Sequence, residues 1–552
     1  MLLLKSVWLL ASAAPALSAL YYDPTELPST IYDYVVVGAG VGGGVVASRL
    51  AEHGDKRVLL IEAGPDNQGL ENVAVPFLCT TLSPDTAIDW NYTTVPQAGL
   101  SGRTIEYPRG RLLGGSSSIN FLVWSRGARD DYDRLAEVSG DAGWSWSAVE
   151  PIFKKIERLT PPADGHNTSG EELPSVHGRS GPLGISVGNA FPTDALVRAT
   201  TRELPEFPFN VDMNSGNTLG IGRIQTSVSN GSRSSSATAY IHPALAVPHS
   251  TLDVLVNAQV TKLMQTGKEG GVPVFRGVQF ATSEDAPVHT VTATHEVILA
   301  TGAVSTPQLL LLSGIGNASS LRTHGILPIV DLPDVGQHLQ DHPVLRNVFT
   351  VNSSVPTNDD LVRNASQLAA SLAEWEADRK GPYASTSAEQ VGWLRVSDDV
   401  LRDVGDVSAG PGAPHFELIL VDGYSGVTTA TGRYFTIRTA VVSPSSRGSV
   451  TLASSAPFAL PIVDPNFLST PADIIIMREA VKAVLRFTSS PAFAAPPFPY
   501  ILGPLGALAN VTTDVEIDAY ARDGSTTLWH PTGTARMAAA GAKEGVVGPD
   551  LR

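Results

Sequence analysis

The sequence predicts an α/β fold, a parallel strand–helix–strand unit joined to an α+β part. Three observations predict it. Residues 34–37 (YVVV) and 58–61 (VLLI) are short apolar runs flanking a helix-like segment at 41–53, the pattern of buried parallel strands joined by a crossover helix. Strand-like runs at 252–257, 260–265, 274–282 and 288–293 read as a meander, and 295–300 reads as another buried strand. Beyond residue 345 the composition changes to runs such as 416–421 and 434–442 set among helices and loops, with an amphipathic helix at 473–487.

The first unit carries the earliest chemical signal. Its first strand breaks into Gly38, Gly40 and Gly43, a G-x-G-x-x-G, and its second strand ends at Glu62. The first two glycines permit a tight turn and close approach of backbone to a pyrophosphate, and the helix N-terminus favours the anion. Glu62 is placed to accept hydrogen bonds from ribose hydroxyls, and its charge argues against a 2′-phosphate. The stretch therefore predicts FAD or NAD rather than NADP.

Composition bounds the rest. The chain has 552 residues, 43% hydrophobic and 17% charged, with a net charge of −16, which suits a well-cored protein of two or more domains. The acidic balance argues against nucleic acid or an anionic membrane as partner. Lys5 and the apolar residues 7–14, followed by Ala16, Ser18 and Ala19, resemble a secretory signal peptide over residues 1–19. Sequons begin at Asn91, Asn167, Asn230, Asn317, Asn352, Asn364 and Asn510, so a secreted, N-glycosylated protein is expected. Cys79 is the sole cysteine, which excludes an intrachain disulfide and any cysteine-based metal site.

Further along, residues 110–120 (GRLLGGSSSIN) form a small-residue loop suited to lie against phosphates or a flat ring. Ser186 sits in a formal G-x-S-x-G, but Ile185 and Val187 alternate as in a strand and no helix follows, so no nucleophile elbow is expected. Residues 230–239 are a Ser-rich loop, and residues 301–316 a small-residue turn leading into an apolar helix at 308–312. In 334–343 (DVGQHLQDHP), His338, Asp341 and His342 have helical metal-ligand spacing, yet Gly336 and Pro343 indicate a structural loop, and no metal is expected. His530 precedes Pro531, which pushes its backbone extended; a histidine held there can serve as a base, although a lone histidine is more often structural.

Together, VVVGAGVGGGVVASRL with IEAG, GRLLGGSSSIN, GAVSTPQLLLLSGIG, DVGQHLQDHP, SPSSRGSVTL and HPTGTARM resemble the glucose–methanol–choline (GMC) oxidoreductases, in the family's order across residues 32–552. The NSGN and SRSSSATAY runs look most like the secreted fungal aryl-alcohol oxidases and pyranose dehydrogenases. The resemblance implies a Rossmann-like FAD-binding domain from residues 30–130, 225–340 and 515–552. Into it is inserted an α+β substrate domain with an antiparallel sheet, residues 131–224 and 341–514. It implies FAD with its AMP half on Gly38, Gly40, Gly43 and Glu62, Val260 toward the adenine, and Leu113, Asn120, Phe121, Leu122, Val123 and Trp529 as further contacts. His530 would be the base that takes the hydroxyl proton of an alcohol, aryl alcohol or sugar, while hydride leaves for the flavin. Dioxygen or a quinone would be the electron acceptor, and the protein a monomer. Phe121, Trp124 and Phe416 are candidate cavity aromatics.

The resemblance also implies a continuation beyond GVVGPDLR that supplies flavin contacts and a second His or Asn paired with His530. On that ground the chain is expected to bind FAD poorly. Two alternatives follow, a flavin-fold lyase or cyclase of secondary metabolism and an inactive truncated paralogue.

Overall fold

The structure is a computed structural model and describes residues 19–352, 357–426, 431–495 and 499–552. The leader-like stretch lies outside the described residues except for Ala19.

The glycine-rich unit forms as expected: β1 (Leu20–Tyr21), β2 (Ile31–Val37), α1 (Val41–Ala51) and β3 (Val58–Ile61). The chain returns much later to the same sheet with β4 (Leu252–Leu255), β5 (Gln259–Glu269), β6 (Val272–Ala281) and β7 (His289–Leu299), after which α2 (Gly302–Leu312) begins. The seven strands lie in the order β1-β4-β3-β2-β7-β6-β5. The run from β1 to β7 pairs in parallel, and β7, β6 and β5 close the sheet as an antiparallel edge. Side chains alternate across it. Val35, Val37, Leu59 and Ile61 face one apolar cluster, while Val36, Val58 and Leu60 face Ala47 and Ala51 of α1. Both faces are covered, so these strands are apolar throughout. Each such buried side chain contributes about 1.5–3 kcal/mol.

Two predicted strands, 288–293 and 295–300, are one strand, β7. It pairs antiparallel with β6 through its first half and parallel with β2 through its second. The register with β2 shifts between Ala293 and Glu296, the irregularity that made the sequence look interrupted. The helix expected at 308–312 starts earlier, because the small-residue turn is its first turn. The Ser-rich stretch is not simply a loop, since Ala237–Ile241 is a π-helical turn.

The second sheet comprises β8 (Pro343–Val351), β9 (Ala388–Leu394), β10 (Phe416–Asp422), β11 (Tyr434–Val441), β12 (Ile501–Pro504) and β13 (Thr526–Thr527). Its order is β9-β10-β11-β8-β12, with β13 on the start of β8. It is antiparallel throughout. One face, with Leu418, Leu420, Phe435 and Ile437, packs on Ile476, Met477, Ala480, Val481 and Val484 of α3 (Pro471–Thr488). The opposite face, carrying Glu417, Ile419 and Val421, is open to a large cavity. The pairing of Pro343 with Thr527 matters most for function, because it lays residues 528–530 beside residues 341–342.

Phe416 faces the core and does not line the cavity; it is one residue out of phase with the row that does. Trp124 is likewise not a cavity residue: its indole N–H donates to Glu157 Oε2 at 2.9 Å. Ser186 is buried within the strand Leu183–Val187, and the next helix begins only at Asp194.

Candidate active site

A cleft starts at the carboxyl ends of β2 and β3. Gly38 has φ +93°, and a Cβ there would come within 2.7 Å of the Ala300 carbonyl oxygen. At Gly43 a Cβ would fall 1.8 Å from the Gly38 carbonyl oxygen, so only glycine lets α1 start this close to the strand. Glu62 is buried, its Oε2 accepting from Ala39 N–H at 2.8 Å and its Oε1 from Gly64 N–H at 3.0 Å. Burial raises its carboxyl above the usual range, and the two N–H donors oppose that rise. Gly38, Gly40, Glu62, Gly115 and Val260 line a section of about 250 Å³.

This section continues into a cavity of about 980 Å³, with Val41, Arg109 and Ser116 lining both. The small-residue loop forms the junction. Gly115 (φ +50°) lies so near Gly40 that a Cβ would meet Gly40 Cα at 2.7 Å. Arg233 braces the loop from behind. Its Nη1 donates to the carbonyl oxygens of Ser117 and Asn120 at 3.1 and 2.9 Å and to Asn120 Oδ1 at 2.7 Å. Without a carboxylate partner among the described residues, its guanidinium is pushed down to about 10 by burial.

Asn120, Phe121, Leu122, Val123, Trp529 and His530 all line the larger cavity. Leu122 has φ +69° and Trp529 φ +63°, left-handed conformations that cost a bulky residue about 1–2 kcal/mol. The surroundings hold them. Trp529 stacks on Phe121 at 5.3 Å with 4° between planes, its carbonyl accepts from Arg109 Nη1 at 2.7 Å, and its N–H donates to Thr527 Oγ1 at 2.7 Å. The Trp529 indole N–H is buried without a partner among the described residues. Strain of this kind marks a site whose geometry is enforced.

The strain aims His530. Asp341, buried, is the hub. Its Oδ1 accepts from the N–H groups of His530 and His342 at 2.8 and 2.7 Å, and its Oδ2 from Thr527 Oγ1 at 2.6 Å. His342 Nδ1 then lies 3.1 Å from His530 Nδ1, with the rings nearly perpendicular at 81°.

His530 is open to the cavity yet deep below the outer surface, so burial lowers its pKa; Asp341 opposes the shift and Arg109 adds to it. His342 is pushed down to about 3, first by burial and then by His530, against a backbone hydrogen bond at Val442. Both rings are therefore neutral near pH 7. The network assigns the protons. His342 hydrogen-bonds the Val442 backbone; with that ring proton on Nε2, His342 Nδ1 accepts from His530 Nδ1–H. The lone pair of His530 Nε2 is left facing the cavity.

A glycine-lined cleft at the end of a parallel strand–helix–strand unit agrees with the family models. GMC oxidoreductase models match residues 32–344 and 444–552. The chain belongs to the GMC oxidoreductases. Dehydrogenase eriK of Hericium erinaceus is 38% identical over 99% of this chain and 91% of its own length. Pyranose dehydrogenase 3 of Leucoagaricus meleagris is 36% identical over 96% of this chain and 88% of its own length. A solved fungal aryl-alcohol oxidase aligns over 94% of this chain and 92% of its own at 26% identity, with a TM-score of 0.79. This GMC chain is an FAD-dependent oxidoreductase.

The GMC cleft fits FAD, with glycines where backbone must approach a diphosphate. Gly38, Gly40, Glu62, Val260, Asn120, Phe121, Leu122, Val123, Trp529 and His530 are brought onto its walls. Two expected contacts are not. Leu113 is fully buried in the core with Ala47 and Ala237, because its side chain points away from the loop's open face. Gly43 lies behind the wall and acts through the close approach to Gly38. Sequence reading missed Arg109, Arg233, Asp341 and His342 as site residues. The last two lay in a motif read as a structural loop, whereas His338 turns away to Asp334 at 3.4 Å. The only signal for the pair was two histidines each next to a proline, His342-Pro343 and His530-Pro531.

Proposed function

We propose that the protein oxidises the CH–OH group of a primary alcohol, an aryl alcohol or a sugar, with His530 as the base. The observation that carries this reading is His530 on the wall of the cavity that continues from the glycine-lined cleft, with its Nδ1 engaged by His342 Nδ1 at 3.1 Å so that Nε2 is the nitrogen left for a substrate. FAD, when bound, supplies the two-electron acceptor for the hydride. The protein's own residues do the rest. Asp341 fixes both histidines through their backbone N–H groups, and His342 fixes the ring tautomer of His530. Phe121 and Trp529, stacked on one another, line the same cavity as His530. His530 Nε2 takes the hydroxyl proton; with its pKa below the ordinary value, the ring is in the accepting form at neutral pH.

The relatives' names, pyranose dehydrogenase and aryl-alcohol oxidase, support the two substrate classes and favour redox chemistry over a lyase or cyclase. Dioxygen or a quinone takes the electrons onward. Secretion with N-glycosylation is part of the same proposal. Asn91, Asn167, Asn230, Asn352, Asn364 and Asn510 are exposed, as acceptor sites must be.

The test is anaerobic mixing of FAD-loaded protein with a panel of aryl alcohols and sugars, followed by air or benzoquinone. Bleaching of the flavin band by an alcohol and its return with an acceptor is expected. A flavin band unchanged by the whole panel would refute the reading.

A further inference from the structure

Of the carboxyl groups that line the cavity, Asp131, Asp359, Asp422 and Glu417, the last stands apart. Glu417 is only 6% exposed, lines the cavity, and its carboxyl makes no hydrogen bond or ion pair among the described residues. Its position follows from strand register. On β10 it alternates with the core residues Phe416 and Leu418, so it faces the cavity together with Ile419 and Val421. Across the ladder it pairs with Trp393 on β9 and Ala440 on β11, and Ala440 in turn pairs with Val344 on β8. Glu417 therefore sits two strands from Val344, about 10 Å, and Val344 is two residues from His342. Trp393 also lines the cavity, and its indole N–H has no hydrogen-bond partner among the described residues. Directly opposed residues on one sheet face bring their Cβ atoms to about 5 Å, so the carboxyl and the indole form one patch.

A buried carboxyl in a cavity also lined by Ile419, Val442 and Leu528 is costly to leave unpaired. With nothing but burial acting on it, its pKa is pushed up to about 8, so it is mainly a neutral acid near pH 7. A neutral carboxyl both donates and accepts a hydrogen bond, and an indole ring beside it offers an apolar face and one donor. That combination matches a carbon bearing a hydroxyl next to C–H surface.

We propose that Glu417, with Trp393 beside it, is a specificity subsite that binds a hydroxyl group of a sugar or polyol remote from the carbon that faces His530. This deepens the alcohol-oxidation reading by choosing polyhydroxylated substrates over monohydroxylic aromatic alcohols, and it rests on that reading.

The test measures binding to FAD-loaded protein reduced with dithionite, which cannot turn over, by calorimetry with D-glucose and with benzyl alcohol. Loss of one or two buried hydrogen bonds predicts that Glu417→Leu weakens D-glucose binding about 10- to 100-fold and changes benzyl alcohol binding less than about twofold. Glu417→Gln, which keeps a donor and an acceptor, is expected to hold glucose binding within about fivefold of wild type. Equal weakening of both ligands, no weakening of either, or wild-type protein that does not bind D-glucose would overturn the proposal. Glucose binding that depends on Glu417 but brings no flavin reduction in the oxidised protein would instead refute alcohol oxidation and leave the subsite standing.

Discussion

His342 Nδ1 and His530 Nδ1 face each other at 3.1 Å, one ring edge-on to the other, although 188 residues separate them. A lone histidine is ambiguous. When His530 Nδ1–H donates to His342 Nδ1, the lone pair of His530 lies on Nε2. Replacing His530 with Asn should lower the rate of flavin reduction by about 10²–10⁴, the contribution of a positioned general base. FAD content should remain that of the wild type, and stopped-flow absorbance reads both. A rate within tenfold of wild type would remove His530 from the role of base.

The pH dependence follows from the direction of the shifts. Burial lowers His530 below the ordinary imidazole value, and the protonated ring cannot accept the substrate proton. Activity should therefore be retained down through pH 6.5 and fall only at lower pH, which a profile of kcat/KM would show. An acid limb centred above pH 6.5 contradicts the assigned environment.

Asp341 acts through the histidines. Asp341→Asn replaces one carboxylate oxygen with an NH₂ that cannot accept from Thr527 Oγ1 or from the paired N–H groups. Hydrogen bonds to a charged group are worth about 1.5–3 kcal/mol, so a fall of about 10- to 100-fold in kcat is expected. The acid limb of the pH profile should also move, which a purely structural role would not produce.

Gly115→Ala should abolish FAD retention. The new methyl would meet Gly40 Cα at 2.7 Å, at a residue with φ +50°, where the cleft narrows between two backbone segments. Loss of the flavin spectrum on gel filtration, with far-ultraviolet circular dichroism unchanged, is the expected outcome.

A separate ionic cluster governs stability. His177 is buried between Glu157 and Asp212, 2.8 Å from each, with Arg126 also on Glu157. The two carboxylates raise His177 to about 9 against burial. A raised folded pKa means the contribution is complete below about pH 6.5 and is lost as pH rises through about 9. It amounts to about 3 kcal/mol. Thermal melts should show the wild type losing stability between pH 7 and 10 relative to His177→Gln, and the variant should be less stable at pH 6. Parallel pH curves would contradict the assignment.

The sequence by itself determined the cofactor end of this protein. Gly38, Gly40, Gly43 and Glu62 are contiguous in one strand–helix–strand unit, so local spacing carries their geometry. It also marked His530 and the loop at 110–120, because small residues and a pre-proline histidine are local signals. Tertiary structure decided the reaction end. The pairing of Thr527 with Pro343 brings His342 and Asp341 to His530, and only long-range register sets that meeting. The same holds for Glu417, read from sequence as part of an apolar strand. Its exposure to the cavity depends on which face of β10 packs on α3, and alternation gives two faces without saying which one the core takes.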